Sequence, residues 1–209
     1  NAHLAEYGLQ FAADVATSSR VTIGGMIANN SCGAHSIVYG RTVDHVVELT
    51  VVLADGQVVT CPSRDNDGTA KLFETELGRI RDEYFEEIER RFPKVLRSNG
   101  GYGLDRLGAP GTRADAVKIL CGSEGTLGIV VRAKLRLAPI PRCTGLVVLH
   151  FGTLLDALLA TPAILRHKPA AVELIDKLIV DAGRANAAMV RRFDFLVGDP
   201  AALLVVEFF

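Results

Sequence analysis

Residues 21–36 read Val21-Thr22-Ile23-Gly24-Gly25-Met26-Ile27-Ala28-Asn29-Asn30-Ser31-Cys32-Gly33-Ala34-His35-Ser36, and the run continues to Tyr39-Gly40. Across it stand four glycines, two asparagines, a threonine and two serines with few apolar residues. Bare amides and short hydroxyls let a flat, polar or phosphorylated ligand come close to the main chain. The same composition also suits a turn-rich connection that needs positive φ angles. A second segment, Gly122-Ser123-Glu124-Gly125-Thr126-Leu127-Gly128-Ile129-Val130, spaces its glycines by three. It fits neither a G-x-G-x-x-G dinucleotide loop nor a G-x-x-x-x-G-K-[ST] phosphate loop. Cys121 stands where a G-x-S-x-G nucleophile elbow needs its first glycine. A carboxylate such as Glu124 buried inside a glycine loop must find donors, from the backbone or from a ligand.

Between these segments the pattern is alternately strand-like and helical. Residues 43–59 carry VVELTVVLADGQVV, with Asp55-Gly56 between two apolar arms; this predicts a hairpin closed by a type I′ turn. Residues 1–13 predict a short helix and residues 62–70 a polar loop. Over 71–97, Leu72, Phe73, Leu77, Ile80, Tyr84, Ile88 and Phe92 recur at helical spacing. They predict one or two surface helices ending near Pro93, with the charged residues on a solvated face. After the turn at 99–103, Val117 to Cys121 reads as a short buried strand, and Ile129 to Leu137 alternates as a half-exposed strand.

Pro139 and Pro141 interrupt the chain, and a domain boundary is placed between 141 and 142. Beyond it the pattern restarts with a strand (Gly145 to Phe151), a helix (Thr153 to Arg166), an apolar stretch around Val172 to Val180 and a terminal strand (Leu203 to Phe209). This is a β-α-β beginning of a ferredoxin-like or related α+β domain.

With 209 residues, 49% hydrophobic and 22% charged, the chain can bury a substantial core. A net charge of −1 and the lack of a Lys/Arg-rich run give no electrostatic reason to bind nucleic acid. Small molecules are the expected partners. Cys32, Cys61, Cys121 and Cys143 are scattered without a C-x-x-C pair, which speaks for reduced thiols against zinc ligation or a disulfide framework. The most apolar stretch, Leu146 to Leu165, is broken by His150, Thr153 and Asp156, so no transmembrane segment is expected. No signal peptide is recognisable. The chain opens on Asn1 without Met and closes in an apolar strand, and it is read as a fragment of a longer protein.

Taken in order, Thr22 to Gly33, Tyr39-Gly40, the hairpin VVLADGQVV and Gly122 to Ile129 resemble the FAD-binding domain of the PCMH, or vanillyl-alcohol-oxidase, type. The form is most similar to the D-lactate dehydrogenase, glycolate oxidase and D-2-hydroxyglutarate dehydrogenase branch of the FAD-linked oxidases. The wording G-G-M-I-A-N-N-S-C-G, with a helical insertion before Gly101-Tyr102-Gly103-Leu104-Asp105, resembles its large members fused to an iron–sulfur domain. Residues 14–141 carry the resemblance. Residues 142–209 resemble, more weakly, the start of the C-terminal substrate, or cap, domain. Val15 and Gly101 depart from the family pattern, standing for a proline and a small polar residue.

The resemblance implies FAD as cofactor. It implies that Thr22, Ile23, Gly24, Gly25, Ala28, Asn29, Ser31 and Gly33 run along the pyrophosphate and flavin ring, with Asp14 and Ser18 just upstream. Glu124, Gly128, Ile129 and Val130 would lie beside the adenosine half. It further implies oxidation of a small 2-hydroxy acid to the 2-oxo acid, with electrons leaving to an iron–sulfur domain or a quinone. The location implied is cytoplasmic, with the longer protein peripheral to the inner membrane as an alternative. Other substrates on the same scaffold (an alcohol, amine or sugar nucleotide) and a flavin-free binding module are the competing readings.

No catalytic residue is assigned, because the family's substrate histidines and arginine come from later in the cap domain. Neither the family's R-x-G-G-G-T-S-like pyrophosphate loop nor closely spaced iron–sulfur cysteines occur in residues 1–209. The fragment by itself is therefore expected to bind FAD weakly or not at all. Cys32 is read as a small buried thiol in preference to a flavin anchor, and His35 and His45 as structural histidines in preference to ring contacts. The sequon Asn29-Asn30-Ser31 carries no meaning in such a setting.

Overall fold

The computed structural model describes residues 1–64 and 68–209, with the side chain of Val190 left out. It divides into two compact units, Asn1–Pro139 and Ile140–Phe209.

In the first unit, the helix expected over 1–13 is a single turn, α1 (Ala2–Ala5), followed by the short strand β1 (Leu9–Gln10). The glycine-rich stretch folds into three short helices, α2 (Ile23–Ala28), α3 (Ser36–Tyr39) and α4 (Thr42–His45). The hairpin follows as β2 (Val46–Val52) and β3 (Val58–Cys61), paired antiparallel from Leu49↔Cys61 to Val52↔Val58. Its turn is not type I′. Gly56 N–H donates to Leu53 C=O at 3.0 Å, and Gly56 has φ +84° while Asp55 is not among the residues at positive φ. A type I′ turn needs positive φ at both central positions. Here one glycine beyond the turn absorbs the strand twist.

Of the polar loop expected over 62–70, residues 65–67 lie outside the described residues, and Gly68 already opens α5 (Gly68–Glu83). After α6 (Phe85–Arg91) comes a single 3-10 turn at Leu104–Arg106. The predicted strand at 117–121 is instead a helix, α7 (Ala116–Leu120), capped by the Asp115 carboxylate accepting from Val117 N–H at 3.1 Å. A short, almost wholly apolar run suits a buried strand and a buried helix equally, and here the cap decides. Next, β4 (Ile129–Leu135) joins the hairpin in the order β3-β2-β4, and β5 (Ala138–Pro139) pairs with β1.

The core of this unit packs Ile27, Val43, Leu49, Val51 and Val59 against Leu77, Leu107, Val117 and Leu120. The helix pair α5–α6 is not simply a solvated face. Glu74 and Arg81, on α5, are each only 2% exposed. Glu74 accepts from Ser63 N–H and Ser63 Oγ, both at 2.8 Å, and from Arg113 Nε at 2.7 Å. Arg81 donates to the carbonyls of Leu107 (3.2 Å) and Thr112 (2.8 Å) and pairs with Asp82 at 2.7 Å.

The second unit holds β6 (Gly145–Phe151), α8 (Leu154–Leu165), β7 (Ala171–Asp176), α9 (Lys177–Ala185) and β8 (Ala202–Phe208). Both β6 and β7 pair antiparallel with β8, which lies between them. β6 and β7 thus run parallel and are joined by α8, a split β-α-β arrangement. Ala157, Ala160 and Ile164 of α8 pack with Leu149, Val172, Leu204 and Val206. Among the described residues, no helix is long and apolar enough to cross a membrane.

Cys61 and Cys121 are buried, Cys143 is exposed, and Cys32, expected as a small buried thiol, is half-buried. Burial pushes the Cys121 thiol up to about 12. The unfolded chain loses this proton near pH 8.5. Between that pH and 12 the native state holds a proton that the unfolded state has released, so stability falls as pH rises through the window. We expect urea midpoints to decline more steeply from pH 9 upward in the wild type than in Cys121→Ala. At pH 8 a maleimide should label Cys143 first, then Cys32, and Cys121 only on unfolding. Native labelling of Cys121 at the rate of Cys143 would contradict its burial.

Candidate functional site: two glycine segments on one short helix

The six-residue helix α2 organises the site. Its N-cap Thr22 accepts from Gly25 N–H through Oγ1 at 3.1 Å. Thr22, Ile23, Gly24 and Gly25 are all exposed. Among the described residues, the amides of Ile23 and Gly24 donate to no protein acceptor. A Cβ added to Gly24 would meet nothing within 4 Å, so that side of the helix is open.

The other end closes in a Schellman motif. Asn30 takes a left-handed conformation (φ 51°), and its N–H donates to Ile27 C=O at 3.3 Å, while Ser31 N–H reaches Met26 C=O at 3.0 Å. Asparagine tolerates this conformation because its short polar side chain bonds locally. Asn30 Oδ1 accepts from Val43 N–H at 3.0 Å, and its carbonyl accepts from Asn99 Nδ2 at 3.0 Å. Position 30 was not among the expected site residues. Its signal in the sequence is the Asn-Asn pair directly after a helix-forming run.

The second glycine segment docks on the same helix end. Gly122 N–H donates to Ile27 C=O and Glu124 N–H to Ala28 C=O, each at 2.9 Å. The second bond satisfies a carbonyl that a helix C-terminus leaves open, and the first gives Ile27 C=O a donor beyond Asn30 N–H. Tyr102 Oη and Thr126 Oγ1 lie 2.7 Å apart and fasten the 99–103 turn to the segment. Gly128 is obligatory, since a Cβ there would lie 2.5 Å from Val51 Cγ1 and 2.7 Å from Val52 O. The buried carboxylate expected at position 124 is not found: Glu124 is exposed and stands at φ 52°, so water solvates it. Ile129 is 67% exposed and Val130 half-buried.

Upstream, Asp14 lies against Gly33, where an added Cβ would fall 1.8 Å from Asp14 O. Asp14 Oδ2 is 2.6 Å from His35 Nδ1. Ser18 sits in an exposed turn, its N–H donating to Val15 C=O at 3.0 Å. Ser31 Oγ donates to Asn29 Oδ1. His45 is buried, bonds Tyr39 O through Nε2 at 2.8 Å and meets Phe11 edge-on, the environment of a structural histidine. Expected site residues thus gather in two clusters on α2, its exposed N-terminal edge and its docked C-terminal end, with the Asp14–Gly33–His35 contact beside the latter.

A separate cleft of about 610 Å³ opens beside α5 and is lined by residues including Ser63, Lys71, Glu74, Arg81 and Arg113. None of the expected cofactor residues lines it.

Residues 1–62 match the family model described as FAD binding domain. Among curated proteins the chain is similar to D-2-hydroxyglutarate dehydrogenase of Pseudomonas putida, at 37% identity over 190 residues, covering 86% of this chain and 19% of that protein. It is also similar to D-lactate dehydrogenase of Archaeoglobus fulgidus, at 26% identity, covering 90% of this chain and 33% of that protein. Of solved structures, alkyldihydroxyacetonephosphate synthase shares the fold with a TM-score of 0.62 at 20% identity, over 99% of this chain and 33% of that one. The chain therefore spans about a fifth of the D-2-hydroxyglutarate dehydrogenase it matches.

Proposed function

We propose that the longer protein of which this chain spans a part is an FAD-dependent dehydrogenase that oxidises a D-2-hydroxy acid to the 2-oxo acid. The supporting observation is the docking of both glycine segments on α2, which leaves the Ile23 and Gly24 amides open beside small residues. These residues fit a flavin nucleotide: bare donors for anionic oxygens, little side-chain bulk, and no cation needed to hold it.

In this reading Thr22, Ile23, Gly24, Gly25, Ala28, Asn29, Ser31 and Gly33 hold the pyrophosphate and ring, with Asp14 and Ser18 at the border. Glu124, Gly128, Ile129 and Val130 flank the adenosine half. Bound FAD supplies the hydride acceptor, at flavin N5, and the protein supplies orientation and electrostatics. The second unit is read as the start of the substrate domain, the boundary being that expected between 141 and 142. Electrons leave to an iron–sulfur domain of the same polypeptide or to a quinone. The substrate class comes from the dehydrogenase names of the relatives.

The test is a screen of the purified longer protein with an artificial electron acceptor. Flavin absorbance together with turnover of a D-2-hydroxy acid is expected; turnover of alcohols, amines or sugar nucleotides alone would sink the substrate assignment. At the residue level, Gly24→Leu should leave thermal stability within about 1 kcal/mol, because leucine favours helix and its Cβ meets nothing within 4 Å. It should nevertheless weaken FAD binding at least about tenfold, the loss of roughly 1.4 kcal/mol of contacts. Unchanged flavin content would remove α2 from the cofactor site.

A further inference from the structure

Ala133 and Leu135 of β4 and, just past its end, Leu137 pack into the interior of the first unit. Strand alternation therefore turns Arg132, Lys134 and Arg136 to the opposite face, and all three are exposed. At about 3.4 Å per residue they make a row roughly 14 Å long. The row lies on an edge strand, since β4 pairs only with β2 in the order β3-β2-β4. A bulge sets its start: the register passes from Thr50↔Arg132 to Val51↔Val130, so Val131 and Arg132 together stand opposite Thr50. Val131 is 58% exposed beside the first cation.

The side chains of these three cations make no ion pair or hydrogen bond among the described residues. Glu48, opposite Lys134 in the register, is the carboxylate that faces the row, and Arg64, itself 78% exposed, already holds it at 2.7 Å. With Arg64 counted, four cations share this face with Glu48, in a chain whose net charge is −1. The positive excess is local. Between the side chains lies an open recess of about 240 Å³, lined by Glu48, Thr50, Arg132, Ala133 and Lys134, with room for a phosphate group. Cations spaced along a flat sheet can each engage a separate anion of a flat array, whereas a peptide would need a groove to hold it.

We propose that the outer face of β4 is a docking surface for an anionic phospholipid membrane, engaged through Arg132, Lys134 and Arg136. So few cations give reversible, salt-sensitive attachment and not permanent anchoring. The surface stands apart from the flavin reading, because none of the three is a candidate cofactor residue.

The test is cosedimentation of the 209-residue chain with vesicles of phosphatidylglycerol and phosphatidylethanolamine, beside vesicles of phosphatidylcholine alone. Binding to the anionic vesicles is expected at about 20 mM salt and its loss at about 500 mM, where screening acts within roughly 4 Å. Each cation removed should lower the partition coefficient about fivefold, so the triple variant Arg132→Gln, Lys134→Gln, Arg136→Gln should bind about a hundredfold more weakly. Its circular dichroism and melting midpoint should match the wild type, because the three side chains have no protein partner. A charge-matched control on and beyond α6, Arg90→Gln, Arg91→Gln, Lys94→Gln, should bind as the wild type does. An equal loss in that control, or equal binding to phosphatidylcholine, would overturn the proposal. Tighter association with soluble polyglutamate at the same salt would overturn it in favour of an acidic protein partner. A wild type that binds neither would reduce the row to a guard against edge-to-edge aggregation.

Discussion

Replacing Gly33 by alanine is expected to lower the stability of the first unit by about 3 kcal/mol and to abolish flavin retention by the longer protein. The added Cβ would lie 1.8 Å from Asp14 O, 2.7 Å from Asp14 C and 2.6 Å from Asp14 Oδ1. Two of these are backbone atoms, which no rotamer change moves, so the strand of chain at Asp14 must retreat. Overpacking of this kind sits at or beyond the upper end of the usual 1–3 kcal/mol range, roughly a 10 °C fall in Tm for a unit of this size. The retreat also parts Asp14 from His35, now 2.6 Å apart, and with them two borders of the candidate site. Gly24→Ala is the control, because its Cβ meets nothing. If Gly33→Ala melts with Gly24→Ala, the close approach of Asp14 to Gly33 does not exist.

The second large effect is expected at Glu74, far from any glycine motif. Glu74→Ala would leave Ser63 N–H and Oγ without their acceptor and remove the carboxylate that Arg113 Nε pairs with. Removing one member of a buried charged network costs about 3–5 kcal/mol. Arg113→Ala should cost less, since that side chain is 55% exposed and water replaces its partner. Urea denaturation followed by far-UV circular dichroism measures both, and the double variant gives their coupling. A loss below about 1 kcal/mol for Glu74→Ala would show that α5 is not anchored through this carboxylate.

These two positions mark the limits of what was readable in advance. Gly33 was legible. It stands in a run whose glycines and asparagines signal close backbone approach, and the order of the motifs carried the resemblance to a flavin family. The hairpin, β4, β6, α8 and β8 were legible too, because alternation and helical spacing are local properties of the chain. Glu74 was not legible. A glutamate on a charged amphipathic helix reads as solvated, and only Ser63 and Arg113, 11 and 39 residues away, turn it inward.

The same distinction runs through the site. Within residues 21–36 and 122–130 the sequence by itself determined which backbone stretches carry little side-chain bulk, since side-chain size and φ freedom belong to each residue alone. It also determined the split between two patterns near the prolines. Tertiary structure alone decided that 116–120 coils into a helix under the Asp115 cap, that Glu124 faces water, and that Asn30, Asn99 and Arg41 meet across some 69 residues of chain. The physical reason is range. Periodicity and turn preference act over a few residues, whereas the burial of a polar group is settled by whichever donors and acceptors the rest of the fold brings within 3 Å.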